Sequence, residues 1–203
     1  MENKKLIVDY ITFNISPEMI SESMEKNNGR LMVKGVLQRA DAQNQNGRVY
    51  PRNILMREAK KYADVNIKER RALGELDHPD SSIVNLNNVS HNVVEMHWNG
   101  DDLVGTVEVL GTPAGNILKE LFKAGIKLGI SSRGLGSVKQ LGEGSVQVQD
   151  DFELIAFDFV SNPSTQGAFL KPVNESKQSG LISQENKYIQ INKLITDILT
   201  DIN

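Results

Sequence analysis

The 203-residue sequence contains no cysteine. That excludes disulfides, thiolate zinc sites, iron–sulfur ligation and a cysteine nucleophile, and it fits a reducing compartment. Histidine is scarce, with three residues, and no cluster of histidines or acids shows metal-ligand spacing, so no metal and no other cofactor is expected. No stretch approaches the roughly 18 apolar residues a membrane helix needs. The start, Met-Glu-Asn-Lys-Lys, is followed by no small-residue cleavage pattern, so no signal peptide is read. An excess of one charge is also missing: 23 Lys+Arg against 26 Asp+Glu leave a net charge of −3, which gives no electrostatic argument for specific nucleic-acid binding. What is present, 39% apolar and 24% charged residues with 16 Gly against 6 Pro, describes a soluble globular chain. It is long enough to bury about 70% of its unfolded surface without staples.

The patterning reads as a mixture of strands with a few helices. Lys5 to Phe13 and Arg30 to Ala40 are expected strands, the second with Gly35 as a bulge. Between them, Ser16-Pro17-Glu18 opens a helix over Glu18 to Lys26. Ile54, Leu55, Ala59 and Tyr62 recur at helical spacing after Tyr50-Pro51. Val89–Trp98 and Leu103–Leu110 flank Asn99-Gly100-Asp101-Asp102, a strong hairpin signal. Thr112-Pro113 caps a helix over Ala114 to Ala124, whose apolar stripe is Ile117, Leu118, Leu121 and Phe122, and Gly125 ends it. Leu128 to Ser132, Val146 to Val148 and Phe152 to Val160 follow as strands, with Gly134, Gly136, Gly142 and Gly144 as punctuation. The fold class is α+β around a largely antiparallel sheet or barrel. Residues 1–172 form the main domain, the polar stretch 173–187 a linker, and 188–203 an amphipathic tail.

Three places concentrate chemical potential. His78 precedes a proline, which biases it to extended backbone. Ser131 and Ser132 sit in Gly-Ile-Ser-Ser-Arg-Gly-Leu-Gly-Ser137. Asp158 lies between Phe157 and Phe159 and must face outward or pair with a donor, because an unpaired buried charge costs several kcal/mol. Together they supply a hydroxyl, an imidazole to take its proton and an acid to orient that imidazole. Glycines after the serines can turn main-chain N–H groups toward a developing oxyanion. No G-x-S-x-G is present, so a nucleophile elbow is not indicated. His91 and His97 compete as bases, but their even spacing in one expected strand reads as a surface pair beside Trp98.

Asn46-Gly-Arg-Val-Tyr-Pro-Arg52, Ala72-Leu-Gly-Glu-Leu-Asp-His-Pro79, Gly129 to Ser137 and, more faintly, Phe157-Asp-Phe-Val-Ser-Asn-Pro-Ser164 resemble the prohead core proteases of large contractile-tailed bacteriophages. The resemblance covers roughly residues 30 to 172 and implies a mostly antiparallel β-barrel with packed helices, similar to herpesvirus assembly proteases. It implies a serine endopeptidase with His78 as base, Ser131 as nucleophile, Ser132 as the alternative nucleophile and Asp158 as the third member. The oxyanion candidates are the backbone N–H groups near Arg133-Gly134 or Ser164-Thr165. The implied substrates are phage scaffold or core proteins and the major capsid protein, cut after Glu inside the immature prohead in the host bacterial cytoplasm. Glu175, in Val-Asn-Glu, is a self-cleavage candidate. The oligomeric state stays open, a homo-oligomer included. The competing readings are a catalytically silent scaffold protein that keeps the protease fold, and an esterase using the same triad.

Overall fold

The computed structural model describes residues 5–13, 16–44, 46–77, 79, 81–142 and 144–161. Among them are ten strands and three α-helices. The order is β1 (Lys5–Phe13), α1 (Pro17–Lys26), β2 (Leu31–Arg39), β3 (Arg48–Val49), α2 (Arg52–Tyr62), β4 (Leu73–Glu75), β5 (Val89–Asn99), β6 (Asp102–Val109), α3 (Pro113–Lys123), β7 (Leu128–Gly136), β8 (Val138–Gly142), β9 (Ser145–Val148) and β10 (Glu153–Val160). A π-helical turn, Ala63–Ile67, extends α2. The expected linker and tail, 173–187 and 188–203, lie outside the described residues, as do Ser164, Thr165 and Glu175.

The strands form three sheets, ordered β1-β7-β10, β2-β6-β5-β4 and β3-β9-β8. Pairing is antiparallel except between β3 and β9 and at a single parallel bridge joining Leu76 to Phe159. The α+β class and the antiparallel bias therefore hold, whereas the expected barrel does not. Each described sheet ends in open edges, and the lone Leu76 bridge links β4 to β10 without a ladder that could close a cylinder.

Local chemistry explains the elements that position the site. Gly100 takes φ +59° in the two-residue turn between Asn99 and Asp102, as the tight hairpin demands. The Thr112 hydroxyl accepts from the Gly115 N–H at the start of α3, and Leu118 and Phe122 of that helix are fully buried, worth about 1.5–3 kcal/mol each. Ile117, assigned to the same stripe, is instead 55% exposed. The β2 bulge falls at Leu37, between Val36 and Gln38, not at Gly35. The Leu37 side chain reaches Gly105 of the partner strand, which stands opposite Gly35, and a Cβ on Gly105 would stand 2.3 Å from Leu37 Cδ1, so the missing side chain makes room for the bulged residue.

The main core joins α1, α2 and α3 to β2, β5 and β6 on one side and to Leu128, Ile130, Phe157 and Phe159 of β7 and β10 on the other. A second cluster gathers Ile7, Tyr50, Ile54, Leu55, Val148 and Phe152. Tyr50 meets Phe152 edge-on at 5.4 Å, while the Arg52 guanidinium donates to the Gly100 carbonyl at 2.9 Å and lies over Trp98. Asn46–Arg52 thus docks the α2 entry onto the hairpin tip.

Candidate active site

Strand β7 is central in its sheet, and it carries both serines. Alternation sends them to opposite faces. Ser132 stands opposite Phe157, and its Oγ accepts from Gln38 Nε2 at 2.8 Å in a buried contact. Ser131 stands directly opposite Asp158, so their Cβ atoms are neighbours at about 4.5–5.5 Å. Both residues are fully buried. Among the described residues, Ser131 Oγ makes one hydrogen bond, a long one of 3.5 Å to the Ser132 carbonyl.

Arg133 follows two residues after Ser131 and therefore shares its face. Its guanidinium is completely buried and meets three partners. Nε donates to Asp158 Oδ2 at 2.8 Å, Nη2 to Asp158 Oδ1 at 3.2 Å and to Glu75 Oε1 at 3.0 Å, and Nη1 to the Ser81 carbonyl at 2.6 Å. Asp158 Oδ1 also accepts from the Glu75 N–H at 3.0 Å. The carboxylate between two phenylalanines thus takes the second of its two options, burial with a donor, and the donor is a bidentate arginine. Glu75 and the Arg133 side chain were not foreseen as parts of the site. The signal for Arg133 was its i+2 spacing from Ser131, which fixes a common face, together with two acids in apolar strands that needed a cation.

His78 itself lies outside the described residues. The chain just before it is anchored: Leu76 bridges Phe159, and the Asp77 N–H donates to the Phe159 carbonyl at 2.8 Å. Asp77 takes φ +69°, a left-handed conformation that aspartate tolerates better than most residues. The backbone entering His78 is therefore fastened to β10 one residue beyond Asp158.

The other histidines fall elsewhere. His91 is not on the surface, because β5 bulges at Val94, between Val93 and Glu95. The extra residue reverses the alternation, sending His91 inward and leaving His97 exposed. His91 Nε2 lies 2.8 Å from the Phe157 carbonyl and Nδ1 2.8 Å from Ser90 Oγ. A carbonyl only accepts, so Nε2 carries the proton and Nδ1 accepts from the serine hydroxyl. Burial pushes the imidazole down to about 4, against the opposing pull of the Asp158 charge and the Phe157 hydrogen bond. A ring with both nitrogens engaged inside the core is a structural histidine. Burial, and secondarily the Asp158 charge, push the Tyr62 hydroxyl pKa up and keep it protonated, against the opposing pull of Arg133; the hydroxyl stands buried without a hydrogen-bond partner.

The expected glycine turn after the serines is absent. Arg133 and Gly134 lie within β7, paired on one side with Val8 and Ile7 and on the other with Ala156 and Leu154. Gly134 is small for a packing reason: a Cβ there would stand 2.4 Å from the Phe152 ring. Among the described residues no group of three or more His, Asp or Glu could hold a metal, and no helix is long and apolar enough to cross a membrane.

A hydroxyl facing a carboxylate across a central ladder, with a histidine-bearing loop tied to the same strand, has the parts of a serine hydrolase. The family described as prohead core protein serine protease matches residues 12–178, and the chain belongs to it. It is 34% identical over 145 residues to the prohead core protein protease of Enterobacteria phage T4, covering 70% of this chain and 68% of that protein. The fold is similar to the structure of the bacteriophage T4 capsid assembly protease, gp21, with a TM-score of 0.69 and 26% identity over 80% of this chain and 100% of that one.

Proposed function

We propose that this chain is a serine endopeptidase acting inside the immature prohead, in the host bacterial cytoplasm. Its substrates are phage scaffold or core proteins and the major capsid protein, cut after Glu. The T4 relatives' names, a prohead core protein protease and a capsid assembly protease, support that setting. The observation that carries the chemistry is the cross-strand pair Ser131–Asp158 with the backbone before His78 bonded to the next residue of β10. Ser131 is the nucleophile. Its hydroxyl is loosely held, whereas that of Ser132, the alternative, is committed to Gln38 on the other face.

His78 takes the Ser131 proton as Oγ attacks the scissile carbonyl, and returns it to the leaving amine. Water then hydrolyses the acyl-enzyme by the same base. Asp158 orients the imidazole and stabilises its charged form, while Arg133 holds the carboxylate in place. Arg133, Gly134, Ser164 and Thr165 remain the candidates for oxyanion donors, and Glu175 the candidate for self-cleavage. A likeness to the herpesvirus assembly proteases belongs to the same reading.

The test is incubation of the purified chain with the capsid precursor and mass measurement of the product ends. Product termini ending in Glu are expected, with cleavage abolished in Ser131→Ala and largely kept in Ser132→Ala. Full activity in Ser131→Ala overturns the assignment. Hydrolysis of small esters with no cleavage of capsid peptides overturns the endopeptidase reading.

A further inference from the structure

We infer that Glu75 and Arg133 are positioning residues of the proteolytic centre, forming a buried clasp that fixes the His78-bearing loop against the strand that bears Ser131. The inference rests on the reading of His78 and Ser131 given above. The segment between β4 and β5 runs from Leu76 to Asn88; Leu76 packs on the main core at its start, but beyond it the large apolar side chains give no anchor, Ile83 being 76% and Leu86 72% exposed. Past that anchored start, a stretch with so little apolar burial needs other contacts to hold it in one conformation.

Polar contacts supply what burial does not. The loop begins at Glu75, whose N–H is bound to Asp158. At its middle, the Ser81 carbonyl accepts from Arg133 Nη1 at 2.6 Å. Toward its end, the Asn85 N–H donates to Glu75 Oε1 at 3.0 Å. That same Oε1 accepts from Arg133 Nη2 at 3.0 Å, so one guanidinium and one carboxylate oxygen tie two points of the loop, Ser81 and Asn85, back to Glu75 at its root. His78 falls between Glu75 and Ser81 in sequence. Both clasp side chains are wholly buried, where hydrogen bonds are strong and water does not compete.

The geometry is specific to these residue types. Arg133 reaches Asp158, Glu75 and Ser81 simultaneously because its five N–H donors lie in a fixed fork; a lysine ammonium offers one point charge. Glu75 Oε2 is buried with no hydrogen-bond partner, although an unmatched buried oxygen is costly. A carboxylate placed for stability alone would be expected to use both oxygens. Here the oxygen that is used is the one that joins the loop to the arginine.

The consequence is catalytic because a displacement of about 1 Å between base and nucleophile can cost about 100-fold in rate. In the full-length chain, Glu75→Leu should lower kcat for a Glu-containing capsid peptide by about 100-fold, leave KM within about 3-fold, and speed amide exchange in residues 76–88 without changing that of the β5–β6 hairpin. Glu75→Gln, which keeps an acceptor for both Arg133 and Asn85, should restore kcat to within about 3-fold of the parent. Arg133→Lys should loosen the same loop and lower kcat by at least about 10-fold. It carries the test if Glu75→Leu does not fold. Parental kcat in Glu75→Leu or Arg133→Lys, a Gln variant as impaired as the Leu variant, or faster exchange spread evenly over the molecule would each overturn the clasp. Loop exchange is read without turnover. Parental loop protection in Glu75→Leu therefore refutes the clasp alone, while full activity of Ser131→Ala refutes the site reading alone.

Discussion

Two buried polar clusters sit on either side of the Phe157–Phe159 segment, and they are built on opposite terms. Around His91 the groups are neutral and both ring nitrogens are engaged, one by the Phe157 carbonyl and one by Ser90. Around Arg133 the groups are ionic, two carboxylates share one guanidinium, and Glu75 Oε2 is left without a partner. A closed neutral network rigidifies and specifies a core. An ionic network with an imbalance of charge is poor economy for stability, and such departures concentrate where chemistry is done. On the roles proposed above, the buried histidine belongs to the scaffold and the buried arginine to the machinery.

That division can be broken by experiment, starting with the largest effect. Arg133→Met strands two buried carboxylates and should cost about 3–5 kcal/mol in urea unfolding. A loss below about 1 kcal/mol would show that the ionic cluster is more solvated than its burial indicates.

His91→Gln tests the neutral cluster through its pH dependence, since the Gln amide can still donate to Phe157. The folded imidazole sits at about 4 against an ordinary 6.5. As pH falls through that window the unfolded chain takes up the proton first, so the parent loses stability relative to its value above pH 6.5. The loss totals about 3 kcal/mol by pH 4. The variant lacks this contribution, and thermal unfolding between pH 7 and 4 should show a correspondingly shallower decline. Equal slopes in both proteins would mean that His91 is not held neutral.

Gly74→Ala probes the seam between the clusters. A Cβ there would stand 2.0 Å from the Phe157 carbonyl oxygen and 2.2 Å from His91 Nε2, so a loss of about 1–3 kcal/mol is expected. Unchanged stability would show that the seam can open. The smallest effect belongs outside both clusters. Asp102→Asn breaks the partly exposed bidentate pair with Arg39 at 2.5 and 3.1 Å and should cost less than about 1 kcal/mol by the same unfolding measurement.

What could be read from the chain follows the range of the interactions involved. The hairpin at Asn99–Asp102, the α3 cap at Thr112 and the α2 face of Ile54, Leu55, Ala59 and Tyr62 are local, and all appear in the structure. The side on which His91 points was misjudged because the Val94 bulge depends on pairing with β6, and strict alternation cannot contain it. Gly134 and Gly136 looked like turn residues, yet they make room within a strand for Phe152, a contact set by folding at long range. The short strands β3 and β8 gave no periodic signal at all. At the site, the need of Asp158 for a donor was legible from its apolar neighbours. The identity of that donor was not, because Arg133 and Glu75 are brought to it from two other strands.

Adjacent hydroxyls on the two sides of β7 also make strand alignment a chemical selector. Sliding β7 by a single residue against β10 would exchange the seats of Ser131 and Ser132, delivering to Asp158 the oxygen now claimed by Gln38. The Phe152 ring, seated over Gly134 and Gly136, obstructs that slide mechanically, since shifting the strand would bring Arg133 or Leu135 beneath it. On the assignment of Ser131 proposed above, this aromatic would decide which alcohol faces Asp158.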